Sequence, residues 1–232
     1  MVLRGVIFDL FGTLVEGWGT ETAAAKGEEI AEILGAPTAA FRDLMESTYT
    51  LRANGQLGPP EAMLRELSAM IGHTPSQEAV ERAATHRIDQ FREVLREPRP
   101  EVRSLLAVLR DRGYRLGLIS DCSGETPSIW RDLVWTGPIQ AAIFSWCERA
   151  RKPDPRLYRQ AAKLLRLDCA ECLYVGDGGS QELTGAEAVG MPAYQYLVPR
   201  ADGDRVLQYD PGPVWRGPTI STLSEVLAIL SG

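Results

Sequence analysis

The sequence predicts an α/β protein: a Rossmann-like three-layer core with a parallel sheet, plus an inserted helical-bundle domain. Short apolar runs alternate with helix-period patterns along most of the chain, which implies a parallel sheet covered on both faces. The alternation breaks once, directly after the first run, for about eighty residues of helical pattern. Acidic or hydroxyl residues follow the ends of several apolar runs.

The strand candidates are residues 3–10 (LRGVIFDL), Arg115–Ser120 (RLGLIS), 141–145 (AAIFS), Cys172–Gly176 (CLYVG) and 193–197 (AYQYL). Each is a short apolar run of the kind that forms a buried strand. Between them, Val102, Leu105, Leu106 and Leu109 recur at helical spacing before a stop at Gly113. Leu157, Ala161, Leu164 and Leu165 repeat the pattern behind an Asp154 cap with Pro155 in the first helical position. Leu183, Ala186 and Val189 mark another helix, closed by Gly190. A capping box from Thr222 to Glu225 opens the last one, with Leu223, Val226, Leu227 and Leu230 on one face.

The interruption, residues 16–95, holds no convincing strand. Gly35-Ala36-Pro37, Gly58-Pro59-Pro60 and Gly72-His73-Thr74-Pro75 divide it into helices. In the last of these, Thr74 is the expected cap, Pro75 the first helical residue and Gln77 the partner in a capping box. Val80, Ala84, Ile88, Phe91 and Leu95 then trace one apolar face. The domain expectation is therefore a core of residues 1–15 and 96–232 with an insert of 16–95. Residues 199–218, rich in Pro, Gly and Asp, read as a long irregular connection.

Composition excludes several classes. The 232 residues allow one large domain or a core with an insert, at ~100–200 residues per domain. With 44% hydrophobic and 24% charged residues the chain is ordinary globular protein, not a disordered one. A net charge of −6 gives no basic footprint for nucleic acid. Apolar runs fall far short of the ~20 residues a membrane span needs. Arg4 and Asp9 interrupt the N-terminal apolar residues, against a signal peptide, so a cytoplasmic location is expected. Cys169 and Cys172 form a lone C-x-x-C without the two further ligands a zinc site needs. His73 and His86 read as loop and helix-surface residues, and Trp146 and Trp215 as packing residues. Nothing in the pattern dictates an oligomeric state.

In an open α/β sheet, ligands bind outside the carboxyl ends of the strands. There the chain offers Asp9 followed by Leu10-Phe11-Gly12-Thr13, then Ser120-Asp121, then Lys152-Pro153, then Gly176-Asp177-Gly178-Gly179 with Glu182 five residues past Asp177. Each alone is an ordinary turn or cap. Gly-Asp-Gly-Gly does not complete a dinucleotide fingerprint. Together and in this order they direct carboxylates, a hydroxyl and an ammonium to one face.

In V-I-F-D-L-F-G-T-L, L-I-S-D, R-K-P-D-P and Y-V-G-D-G-G-S-Q-E the chain resembles the haloacid dehalogenase superfamily of hydrolases over essentially its whole length. The insert looks like that family's type-1 helical cap. The resemblance implies Asp9 as nucleophile, with Ser120 and Lys152 binding the transferring group. It also implies Mg²⁺ held by Asp9, the Phe11 carbonyl and Asp177, with Glu182 supporting it. Physics supports these roles. A carboxylate can attack phosphorus and form an acyl phosphate that water splits. Bringing two unit anions to ~3.5 Å costs roughly 4–5 kcal/mol at an effective dielectric near 20. Mg²⁺ and Lys152 offset that repulsion, and Mg²⁺ takes oxygen ligands without needing histidine. Backbone amides near Gly12, Thr13 and Asp121 add donors for the anion.

One position departs from the pattern. Phosphatases of this family carry an aspartate two residues after the nucleophile, as general acid and base; here that residue is Phe11. Such assistance is worth about 10²–10⁴-fold, so leaving groups that depart as stable anions are favoured, unless another group such as Glu16 substitutes. An aromatic there resembles the family's 2-haloacid dehalogenases, in which halide leaves without protonation and a cap arginine, here Arg42, takes part. The metal-binding form of Gly176-Asp177-Gly178 argues for the phosphatase. The expectation is a Mg²⁺-dependent phosphatase of a small phosphorylated metabolite. The alternatives are a dehalogenase-like hydrolase and a weakly active or inactive binding module. Trp18, Phe41, Met45, Tyr49 and Trp130 are candidate pocket residues, although aromatics at helical spacing are as a rule core.

Overall fold

The computed structural model describes residues 2–197 and 214–231. Most of the 199–218 stretch read as an irregular connection lies outside the described residues. Five strands fall on the expected runs: β1 (Gly5–Phe8), β2 (Arg115–Ser120), β3 (Ala141–Phe144), β4 (Cys172–Gly176) and β5 (Ala193–Tyr196). A sixth, β6 (Thr219–Ile220), was not expected; two residues are too few to show a period. The order is β3-β2-β1-β4-β5-β6, and every pairing is parallel. β1 is central, with Phe8 in register with Leu118 of β2 and Val175 of β4.

The strand side chains split between two buried layers, as a sheet covered on both faces requires. Val6, Phe8, Leu116, Leu118 and Val175 pack with α6 (Val102–Asp111) and with Leu223 and Val226 of the C-terminal turn. Ile7, Ile119, Ile143 and Tyr174 pack on the other face with α9 (Pro155–Leu164) and α10 (Glu182–Ala188). The Asp154 cap and Pro155 start of α9 are as expected, with Asp154 accepting from the Arg156 amide. The Thr222–Glu225 capping box is also present, ahead of a single turn, α11 (Val226–Ile229). Two further one-turn helices, α7 (Glu125–Ile129) and α8 (Ser145–Glu148), sit in the β2–β3 and β3–α9 connections.

Between β1 and α6 lie α1 (Thr20–Leu34), α2 (Thr38–Ser47), α3 (Tyr49–Ala53), α4 (Pro60–Met70) and α5 (Gln77–Arg96). They enclose a separate apolar cluster that includes Ile30, Leu34, Phe41, Leu64, Leu67 and Val80. At the far end of α5, Phe91 and Leu95 join the core layer, so one helix spans both clusters. Two boundaries differ from expectation. α5 starts at Gln77 under Ser76, whose Oγ accepts from the Ala79 amide at 3.1 Å, so Thr74 and Pro75 precede the helix. The break between α2 and α3 falls at Thr48, where no Gly or Pro marks it; its backbone leaves helical geometry while Oγ1 donates to the Leu44 carbonyl at 2.6 Å. No helix among the described residues is long and apolar enough to cross a membrane.

Candidate active site

The parallel register sets the site. Asp9 follows β1 directly, its amide donating to the Val175 carbonyl at 2.9 Å, so it leaves the sheet between β2 and β4. Lys152, on the loop ahead of α9, points its ammonium into this gap. Its Nζ lies 2.6 Å from Asp9 Oδ1 and 2.5 Å from Glu182 Oε2, and all three side chains are buried. Burial opposes the ammonium charge, but Asp9 and Glu182 outweigh it and hold Lys152 well above the ordinary lysine range. The second Asp9 oxygen accepts from Thr13 Oγ1 at 3.1 Å. The nucleophile candidate is thus oriented at both oxygens.

Glu182, at the start of α10, is fully enclosed. Oε2 also accepts from Tyr174 Oη at 2.8 Å, and Oε1 accepts from the Gly178 amide at 2.9 Å. Burial, and then the Asp9 carboxylate, push it up to about 8, against the pull of Lys152. Asp9, Asp177 and Glu182 each bring an oxygen within 4.8 Å of the others. Gly12 and Gly176 make this approach possible. A Cβ on Gly12 would strike Asp177 Oδ2, and one on Gly176 would strike Glu182 Oε1. Gly12 also has φ +85°, a left-handed conformation open to glycine at little cost. Three carboxyl groups meet one ammonium here, in an all-oxygen donor set. That is the chemistry a hard divalent cation such as Mg²⁺ prefers, so these residues fit the ion.

Ser120, at the end of β2, has a buried Oγ with no hydrogen-bond partner among the described residues. A buried hydroxyl of this kind is rare unless something else meets it. The next residue, Asp121, is buried and holds the lysine loop. Its Oδ1 accepts from the Lys152 amide at 3.0 Å and its Oδ2 pairs with Arg151 Nε at 3.3 Å. Burial raises Asp121 above the usual aspartate range, with Lys152 and Arg151 resisting. Arg151 in turn reaches the inserted helices. It donates to Thr50 Oγ1 at 2.7 Å and lies 4.7 Å over the Tyr49 ring. Sequence reasoning missed Arg151 and Tyr174; their only signal was adjacency to Lys152 and to the Gly176-Asp177 turn.

A cavity of about 450 Å³ opens between the strand ends and the helices, bordered by Phe11, Trp18, Met45, Tyr49, Phe91 and Asp121 among others. Trp18, Met45 and Tyr49 therefore line it as entertained. Phe41 and Trp130 do not, because both are buried in apolar clusters. Glu16 projects into solvent and pairs with Arg99 at 3.4 Å, which removes it as a substitute acid. Arg42 borders the cavity while exposed and paired with Glu28 and Asp43. His86 bonds Glu29, His73 meets the Leu34 carbonyl, and Trp146 donates to the Gly58 carbonyl. The four cysteines are free thiols.

A parallel sheet with a lysine and an acid cluster at its strand ends, under an inserted helical layer, defines a Rossmann-like hydrolase. A family model described as haloacid dehalogenase-like hydrolase matches residues 3–190, and the chain belongs to that family. Glyceraldehyde 3-phosphate phosphatase of Pyrococcus abyssi is 35% identical over 95 residues, 40% of this chain and 39% of the relative. The enzyme of that name from Methanopyrus kandleri is 30% identical over 118 residues, 47% and 50% of the two chains. The chain thus spans half or less of the length of these relatives. Among solved structures, 2-haloacid dehalogenase from Pseudomonas syringae pv. Tomato superposes with a TM-score of 0.71 at 20% identity, covering 99% of each chain. A family enzyme of Bacteroides thetaiotaomicron, in complex with magnesium and inorganic phosphate, gives 0.62 at 17% identity over 87% of this chain and 96% of that one. Both share the fold.

Proposed function

We propose that this hydrolase is a Mg²⁺-dependent phosphatase of a small phosphorylated metabolite, with Asp9 as its nucleophile. The observation that carries the reading is the approach of Asp9, Asp177 and Glu182 within 4.8 Å of one another beside Lys152. Asp9, Asp177 and the Phe11 carbonyl would hold the ion, with Glu182 behind them. Bound there, Mg²⁺ would supply positive charge against the phosphoryl oxygens. Lys152 holds the Asp9 carboxylate in place and adds a fixed cation for the phosphoryl group. Thr13 fixes the second Asp9 oxygen and the unpartnered Ser120 hydroxyl donates to a phosphoryl oxygen; the Gly12 and Thr13 amides, expected as further donors, instead donate to the Val15 and Leu10 carbonyls at 2.9 and 3.3 Å. Residues 16–95 serve as the cap that excludes water and selects the substrate, over a core of 1–15 and 96–232. The reading places the enzyme in the cytoplasm with a small-molecule substrate, and the charge of −6 favours that over a nucleic-acid partner.

One observation favours a second reading. Phe11, two residues past Asp9, faces the cavity and has no proton to give, which suits halide departure from a 2-haloacid. The acid cluster weighs against it, because a carboxylate substrate would approach the carboxyl groups of Asp9 and Asp177. Assays of phosphate esters and 2-haloacids, each with Mg²⁺ and with EDTA, separate the two. EDTA-sensitive phosphate release supports the phosphatase; EDTA-insensitive halide release replaces it with the dehalogenase; neither activity refutes both.

A further inference from the structure

The cavity's volume lies within the ~300–1,000 Å³ of sites that enclose whole organic ligands. Its wall nearest the strand ends is aromatic. Phe11 and Phe91 meet edge to face at 6.2 Å, and Trp18 crosses Phe91 at 4.8 Å. The cations on its border are already engaged by protein groups. Arg87 is bound by Glu125 and lies 5.2 Å over the Phe91 ring, Arg42 is held by Glu28 and Asp43, Lys26 by Glu29, and Arg52 donates to the Met45 carbonyl and lies 5.8 Å over the Tyr49 ring. A ligand body here therefore gains by covering ring surface rather than by presenting a second charge.

The same wall offers little to a leaving group that needs a proton. Phe11 has none, Glu16 is in solvent, and Glu21 and Glu46 on the cavity border are exposed. The Asp121 carboxylate accepts from Lys152 N and Arg151 Nε, and the Tyr49 hydroxyl donates to the Asp121 carbonyl at 3.5 Å. The favoured leaving group is one that departs as a stabilised anion.

Resting on the phosphatase reading above, we propose that the site takes a phosphate monoester of a phenol-like hydroxyl, its aromatic body seated against Phe11, Trp18 and Phe91. An Asp9 oxygen bonds to phosphorus as the bond from phosphorus to the aryl oxygen breaks. The electron pair leaves with that oxygen as aryloxide. Water then bonds to phosphorus as the Asp9–phosphorus link breaks, returning the carboxylate. One water proton stays on the phosphate and the other is taken up by the aryloxide in solution.

The test uses the full chain with Mg²⁺. Calorimetry compares phenylphosphonate with methylphosphonate, which differ in the aromatic body and cannot be hydrolysed. The phenyl compound binds about tenfold more tightly. The preference falls to about threefold or less in Trp18→Ala and returns in Trp18→Phe. In parallel, kcat/KM for substituted phenyl phosphates and glycerol phosphate falls steeply as the leaving group becomes more basic, and the slope flattens in Phe11→Asp. Equal binding of the two phosphonates, a preference unmoved by Trp18→Ala, or glycerol phosphate turned over as well as phenyl phosphate overturns the proposal alone. No phosphate release from any ester defeats the phosphatase reading and this proposal with it.

Discussion

The guanidinium of Arg87, on α5, pairs with the carboxylate of Glu125, at the start of α7, and both side chains are buried. The pair joins the inserted helices to the sheet at the rim of the cavity. Removing one partner strands a charge in a dry site, so Arg87→Met or Glu125→Gln alone destabilises the fold by about 3–5 kcal/mol. The double variant Arg87→Met/Glu125→Leu recovers most of that loss. Urea unfolding of the parent and the three variants measures both effects.

Acid acts on the same pair. Burial opposes the Glu125 charge, yet Arg87 holds its carboxyl below the ordinary 4.5. A lowered folded value means the unfolded chain takes up the proton first. The stabilisation is therefore complete above pH 4.5 and is lost as pH falls below it toward the folded value. Glu125→Gln loses this component of acid sensitivity in a pH series of unfolding midpoints.

Much of this site was legible in the sequence, and the reason is local. Asp9, Ser120 and Asp177 each sit at or just past a strand end, and a parallel sheet brings such positions to one edge. Lys152 and Glu182 were legible from the motifs around them. The Arg87–Glu125 pair was not, because its members are 38 residues apart on different elements and neither carries a local signature. Thr74 and Ser76 are both competent caps, and only backbone geometry chooses Ser76. The Thr48 break hides because a hydroxyl, rather than a Gly or Pro, turns the chain.

Thr13 restrains Asp9 Oδ2 through one buried hydrogen bond. Thr13→Val keeps the shape and deletes the donor, at a cost of about 1–1.5 kcal/mol. If Asp9 is the nucleophile, kcat drops about tenfold while KM changes little, because alignment of the attacking oxygen is lost. Steady-state kinetics on an aryl phosphate measure the split.

Metal binding is readable without turnover. If the acid cluster holds Mg²⁺ in the folded chain only, the ion at 100 times its Kd stabilises the protein by about 2.7 kcal/mol and raises Tm. Asp177→Asn shifts the Mg²⁺ dependence of Tm to higher concentration, and EDTA returns the parent protein to its metal-free midpoint. A Tm indifferent to Mg²⁺ contradicts the assignment.

Under the proposed mechanism Asp9→Asn and Lys152→Ala both lose turnover, the first by removing the attacking carboxylate and the second by removing the cation that faces it at 2.6 Å. Purified variants with parent-like rates on aryl phosphates exclude these roles. Circular dichroism of each variant checks that the fold is intact.

The most direct measurement is acid quenching of the enzyme during turnover, followed by peptide mass spectrometry. One phosphoryl group is expected on the peptide that carries Asp9, sensitive to hydroxylamine and absent from Asp9→Asn. Phosphate released with no label on that peptide, or with the label on another residue, contradicts Asp9 as the nucleophile.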